Sequence, residues 1–150
     1  MAETPNRAAV TQWLIDLITE QLPAGEKCGD MRAEIDGVAD PFPFRVVYPL
    51  PGGSVSGPGM GQAAGDAVFS YQVDSVGKTR GQAESGSDRV RDWVCGRTAD
   101  GVYVVPRDDP EGLRISDRIV NGTPGTLLEG QPPNEVYTVS DTIDIHVTVS

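Results

Sequence analysis

The chain has 150 residues, 38% hydrophobic and 23% charged, which suits one domain with a real apolar core. Its 22 Asp and Glu outweigh its 12 Lys and Arg, a formal net charge of −10. That balance argues against an electrostatic grip on a nucleic-acid backbone or an anionic membrane.

No run of about 18 apolar residues is present to span a bilayer. The opening MAETPNRAAV lacks the basic-then-apolar order of a signal peptide. Cys28 and Cys95 have no CxxC or Cys/His spacing. They are expected to be reduced packing thiols rather than zinc ligands or a disulfide.

Residues 5–22 are predicted to be an amphipathic helix, with Thr4 as N-cap and Pro5 at the first helical position. Val10, Trp13, Leu14, Leu17 and Ile18 form its apolar stripe. Residues 26–41 are polar and read as irregular. PFRVVYPL, 43–50, reads as a strand, with Phe44, Val46, Tyr48 and Leu50 on one face. Prolines 41, 43 and 49 bracket it, so it is expected at an edge or at its own ends. The glycine-rich segment 51–66 has almost nothing to bury and is expected to be a mobile, functional loop.

AVFSYQVDSV, 67–76, reads as a second strand, with Phe69, Tyr71 and Val73 on one face. The Gly77-Lys78-Thr79 that follows raises the question of a phosphate-binding loop. Such a loop needs an earlier glycine with four residues between it and the GK[ST], so that its backbone N–H groups can curl around a phosphate. That position is Gln72, inside the strand. The tripeptide therefore reads as a strand-to-helix turn. Thr79 and Gln82 form a capping box that opens a helix over 79–95. Gly96 is placed to end it. Ala83, Val90, Trp93 and Val94 make its apolar stripe, and both Trp13 and Trp93 are expected in the core. Gly86 weakens this helix by up to ~1 kcal/mol relative to Ala and is expected to permit a close contact.

GVYVV, 101–105, and LRISDRIV, 113–120, read as strands, and 121–134 as mostly loop. From Tyr137 to Ser150 the odd positions are apolar and the even ones polar, except at Asp141. This period of two predicts, over 135–149, one long bent strand or two strands meeting near Ser140-Asp141. The elements predict an α+β fold in one domain spanning 1–150. A single mixed or antiparallel sheet carries two amphipathic helices on one face.

Chemistry is sparse. His146 is the single histidine and shares a strand face with Asp144, but no further ligand or nucleophile is spaced nearby. Asp108, Asp109 and Glu111 lack the spacing of a calcium loop. No serine sits in a GxSxG elbow. An enzyme is not expected, nor is a cofactor or a metal. The residues describe an acidic binding or assembly module.

Two stretches carry a resemblance. FRVVYPLPGGSVSGPG (44–59) resembles the strand-and-loop segment of tail terminator proteins of actinobacterial long-tailed phages. YQVDSVGKTRGQAESGSDRVRDWVCG (71–96) is similar to their strand–turn–helix. The resemblance implies a ring-forming structural virion protein, typically a homohexamer, at the head-proximal end of the tail tube. It would stop tube polymerisation and present a surface for joining to the head. The implied partners are other copies of the chain, the major tail tube protein and head–tail connector proteins. DNA would pass through the lumen without specific binding, and no membrane is involved. The implied location is the virion tail, after assembly in the host cytoplasm.

On that reading Ser54, Ser56, Met60, Lys78, Arg80, Arg89, Arg91, Asp108 and Asp109 are candidate interface residues, chosen by expected exposure and loop position. The 51–66 loop is a candidate for ordering on assembly. The alternatives are a head–tail connector or head-completion subunit and, from a different class, a small-ligand or ion-binding domain with Asp144 and His146 at its site.

Overall fold

The computed structural model describes residues 4–33, 40–51, 53–56, 65–122 and 125–149. Helix α1, Arg7–Gln21, is capped by Asn6, whose side-chain oxygen accepts the Ala9 N–H at 3.3 Å. Asn6 thus takes the role predicted for Thr4, because its short amide reaches a free first-turn N–H. The buried face contains the predicted stripe, Val10, Trp13, Leu14, Leu17 and Ile18, joined by Ile15. Each of these side chains contributes about 2 kcal/mol of hydrophobic stabilisation.

The strands are β1 (Lys27–Asp30), β2 (Phe44–Pro49), β3 (Ser54–Ser56), β4 (Asp66–Gly77), β5 (Leu113–Val120), β6 (Thr126–Glu129) and β7 (Val136–Val149), with helix α2 (Arg80–Cys95) between β4 and β5. They form one sheet of order β1-β2-β4-β7-β5, in which β3 also pairs with β4 and β6 with β7. The β1–β2 pair is parallel and the other pairs are antiparallel. Residues of α1, Val90 and Val94 of α2, Val47 of β2, Ala67, Phe69, Tyr71 and Val73 of β4 and Ile143, Ile145 and Val147 of β7 share one core cluster. Both helices therefore cover the same face. The α+β fold is the predicted one: a single mixed sheet with two helices on one face.

The opposite face is largely open. At one end Phe44, Val46 and Val76 form a second, smaller buried cluster, with Ala33, Phe42, Tyr48 and Val136 packed against it. The two clusters follow from the strand period of two: Phe44, Val46 and Tyr48 point to one face, Arg45 and Val47 to the other.

The segment from 136 to 149 is one strand, paired with β4 from Asp66↔Thr148 to Gly77↔Tyr137. Asp141 does not break its alternation. It points inward and is fully buried.

Several expectations are corrected. Residues 26–41 are not wholly irregular, since Lys27–Asp30 pair with β2. That partner makes β2 an interior strand, so of the two expected placements its prolines take the strand ends. Within 51–66, Ser54–Ser56 pair with β4 and Asp66 begins β4. Residues 57–64 of the expected loop lie outside the described residues.

The predicted strand 101–105 is not one. It contributes only a bridge between Arg97 and Tyr103, and Val102 and Val104 are exposed. The apolar run pairs only with the short segment 96–98, too few residues for a ladder. Conversely, Thr126–Glu129, read as loop, folds back on β7. Backbone pairing forms this strand although all four side chains are exposed, so no burial pattern announces it.

Candidate functional site

The turn into α2 explains Gly77-Lys78-Thr79. Thr79 is the N-cap, its hydroxyl accepting the Gln82 N–H at 3.2 Å. The Gln82 side-chain oxygen accepts the Lys78 N–H at 2.8 Å. A β-carbon on Gly77 would stand 2.6 Å from Gln82 Cβ and 2.7 Å from Ala83 N. Glycine is needed there to bring the helix tight against the strand end. The turn is structural.

Beneath α2 lie two polar systems. Arg45, on the inward face of β2, has a fully buried side chain and pairs with Glu26 at 2.7 Å. Its guanidinium stands 5.6 Å from the Trp93 ring centroid. Gly86 makes room for it, since a β-carbon there would be 3.2 Å from Arg45 Nη2 and 3.3 Å from Ser75 Cβ. The close contact expected at Gly86 is therefore with a buried arginine. Trp93, expected in the core, is only half-buried at its margin.

The second system is centred on Asp141. Its Oδ2 accepts the Ser87 hydroxyl at 2.6 Å, and Arg91 Nε stands 3.6 Å from its Oδ1. Arg91 also pairs with Asp88 on the helix surface. Burial pushes the Asp141 carboxyl above its ordinary value, against the opposing pull of Ser87 and Arg91.

At the far end of α2, Arg118 lies between two aromatic rings, 4.8 Å from the Trp13 centroid and 4.1 Å from the Tyr103 centroid. It donates to the Val105 carbonyl at 2.9 Å. A bulge between Ile115 and Asp117 turns Arg118 inward and leaves Asp117 to pair with Arg97 and Tyr103. Burial lowers the Arg118 pKa. Both cysteines are free, half-buried thiols, and burial pushes each up to about 12.

The open face of the sheet is polar. Asp144 accepts from Ser70 at 2.7 Å and from Asn121 at 2.9 Å, and Asp74 accepts from Ser140 at 2.6 Å and from Gln72 at 2.8 Å. His146 lines a pocket of about 210 Å³ with Ser54, Asp66, Ser116 and Thr148. Among the described residues no group of three or more His, Cys, Asp or Glu is placed to hold a metal ion. No described helix is long and apolar enough to cross a membrane.

The described candidate interface residues are spread over β3, α2 with the turn into it, and the segment that precedes β5. Lys78 and Arg80 stand exposed at the start of α2, with Arg80 3.4 Å from Glu84. Arg89 is exposed further along the helix, while Arg91 is half-buried over Asp141. Ser54 and Ser56 belong to β3 rather than to a loop. Asp108 and Asp109 are exposed, and the Asp108 carbonyl accepts the Trp13 indole N–H at 2.9 Å. Met60 lies outside the described residues.

Sequence reasoning missed the exposed apolar residues on two strands that each have one paired side among the described residues. Val55 on β3 is 57% exposed, and Leu127 and Leu128 on β6 are 56% and 52% exposed. β3 pairs with the start of β4, and β6 with the start of β7, on the opposite side of the sheet. They occupy diagonal corners. The adjacent leucines are the available signal, in a segment whose glycines and prolines favour a loop. Neither a family model nor a curated protein matches the chain.

Proposed function

We propose that this chain is a phage tail terminator subunit that caps the head-proximal end of the tail tube as a ring, stops tube growth and offers a surface for head joining. The observation that carries the reading is the resemblance of residues 44–59 and 71–96. The described parts of those stretches are neighbours in the fold, since β2 pairs with β4 and α2 packs on β4. They make one strand–strand–helix unit rather than two scattered matches.

The sheet edges support assembly. An edge strand presents unpaired backbone groups that can accept another chain. A head-to-tail contact joins two different surfaces and closes a ring when the rotation allows. Among the described residues β3 and β6 supply two unlike edges with exposed apolar side chains at opposite corners. The net charge of −10 also suits a channel that passes DNA without holding it.

The test is electron microscopy of particles from a phage lacking this gene. Overlong tails of uneven length, unattached to filled heads, are expected. Tails of normal length beside leaking heads would place the protein on the head side as a completion factor. Normal virions would end the reading.

A further inference from the structure

Two buried polar atoms beneath α2, Asp141 Oδ1 and Arg91 Nε, have no hydrogen-bond partner among the described residues. They face each other at 3.6 Å, close enough for an ion pair and too long for a hydrogen bond. Arg91 gives its Nη2 to Asp88 Oδ1 at the helix surface, while Asp141 Oδ2 holds the Ser87 hydroxyl at 2.6 Å. One guanidinium thus stands between two carboxylates and is turned to the outer one. The Asp88 side chain is exposed and that of Asp141 has no exposed surface.

An exposed ion pair is weak in water, whereas a buried ionised carboxylate that lacks donors is costly. A neutral Asp141 needs no guanidinium and an ionised one does, so the pull on Arg91 changes with one proton. Burial raises the Asp141 carboxyl above 3.8, which puts the change on the less acidic side of an ordinary aspartate. The charged and titratable groups facing it are Arg91, Asp88 and Cys95 on α2 and Asp74 on β4. Asp74 is already committed to Ser140 and Gln72. On β5 the inward charge is Arg118, committed to the Val105 carbonyl and the Trp13 and Tyr103 rings. From β6, Thr126 reaches Glu84, one turn before Asp88. Arg91 is therefore the one cation placed to answer Asp141 among the described residues.

We infer that Arg91 is a proton-controlled latch between α2 and β7: it pairs with Asp88 at the surface while Asp141 is neutral and turns in to Asp141 Oδ1 when that carboxyl ionises. The proton leaves to solvent, and a side-chain rotation closes the 3.6 Å gap. The grip of α2 on the sheet at this turn then depends on pH. The latch lies within one chain, so it stands whether or not the ring reading does.

The test is an NMR pH titration of the full chain that follows the Asp141 carboxyl carbon and the Arg91 Nε–Hε group together. Both signals are expected to move with one midpoint above 3.8, and this arm needs no variant. In D88N, where no outer carboxylate remains to titrate, the shared midpoint should persist and fall to lower pH. R91Q should raise the Asp141 midpoint by about one pH unit, the effect of losing a nearby opposite charge. In the R91Q background D88N should have less than half its effect in the parent, because Asp88 acts through Arg91. An Arg91 signal that does not follow the Asp141 midpoint would overturn the latch. So would a D88N effect of full size in R91Q, since Asp88 would then act by its charge alone.

Discussion

Replacing Gly86 with alanine sets two effects of known sign against each other. Gly86 lies inside α2, so alanine gains up to about 1 kcal/mol of helix propensity. The new β-carbon, however, would stand 3.2 Å from Arg45 Nη2 and 3.3 Å from Ser75 Cβ. Neither neighbour has room to retreat. Arg45 is fully buried and held by Glu26, and Ser75 belongs to β4, which is paired on both sides there, with Arg45 and Val139. Overpacking of this kind costs about 1–3 kcal/mol. The expected net effect of G86A is a destabilisation of about 1 kcal/mol, a fall in Tm of roughly 2–4 °C for a chain of this size. The matched control is G81A. Its nearest neighbour would be Thr79 Oγ1 at 4.0 Å, so it should hold or raise stability by up to about 1 kcal/mol. Urea unfolding of the two variants beside the parent is the assay. A G86A protein as stable as the parent would refute the claim that this glycine is kept for the arginine beneath it.

Other predictions follow from the buried groups. Burial raises the Asp141 carboxyl above its ordinary 3.8, so the native state holds this proton more tightly than the unfolded chain does. Its contribution to stability is fully present below the unfolded value and is lost as pH rises through the raised native value. D141N should therefore gain stability relative to the parent as pH rises above the ordinary carboxylate value of 3.8, as measured by denaturant midpoints; a difference independent of pH would contradict this. R118M removes the guanidinium between Trp13 and Tyr103 and strands the Val105 carbonyl. It should cost about 2–4 kcal/mol and alter Trp13 fluorescence, whereas a loss below about 0.5 kcal/mol would deny the contact its role. A rise of both thiols from 9.0 to about 12 lowers their thiolate population roughly a thousandfold. Ellman's reagent should then label native protein only as fast as local opening allows, and a fast native phase at either cysteine would count against that burial.

Local pattern alone determined much of this protein. Three-to-four spacing placed α1, the capping box placed the start of α2, and period two placed β2, β4 and β7, because each signal is carried by consecutive residues. The same patterns implied one sheet with both helices on one side. The candidate interface residues were a different matter, since exposure and mutual distance depend on the fold. Tertiary structure alone decided that Arg45, Arg118 and Asp141 are buried. A charge on an inward strand position is indistinguishable from a solvated one until its partners arrive from distant segments: Glu26 for Arg45, Trp13 and Tyr103 for Arg118, Ser87 for Asp141. Backbone pairing, which needs no apolar side chain, created β1, β3 and β6 from segments that read as loops. Residues 101–105, whose side chains looked the part, met only the short segment 96–98 and formed a single bridge.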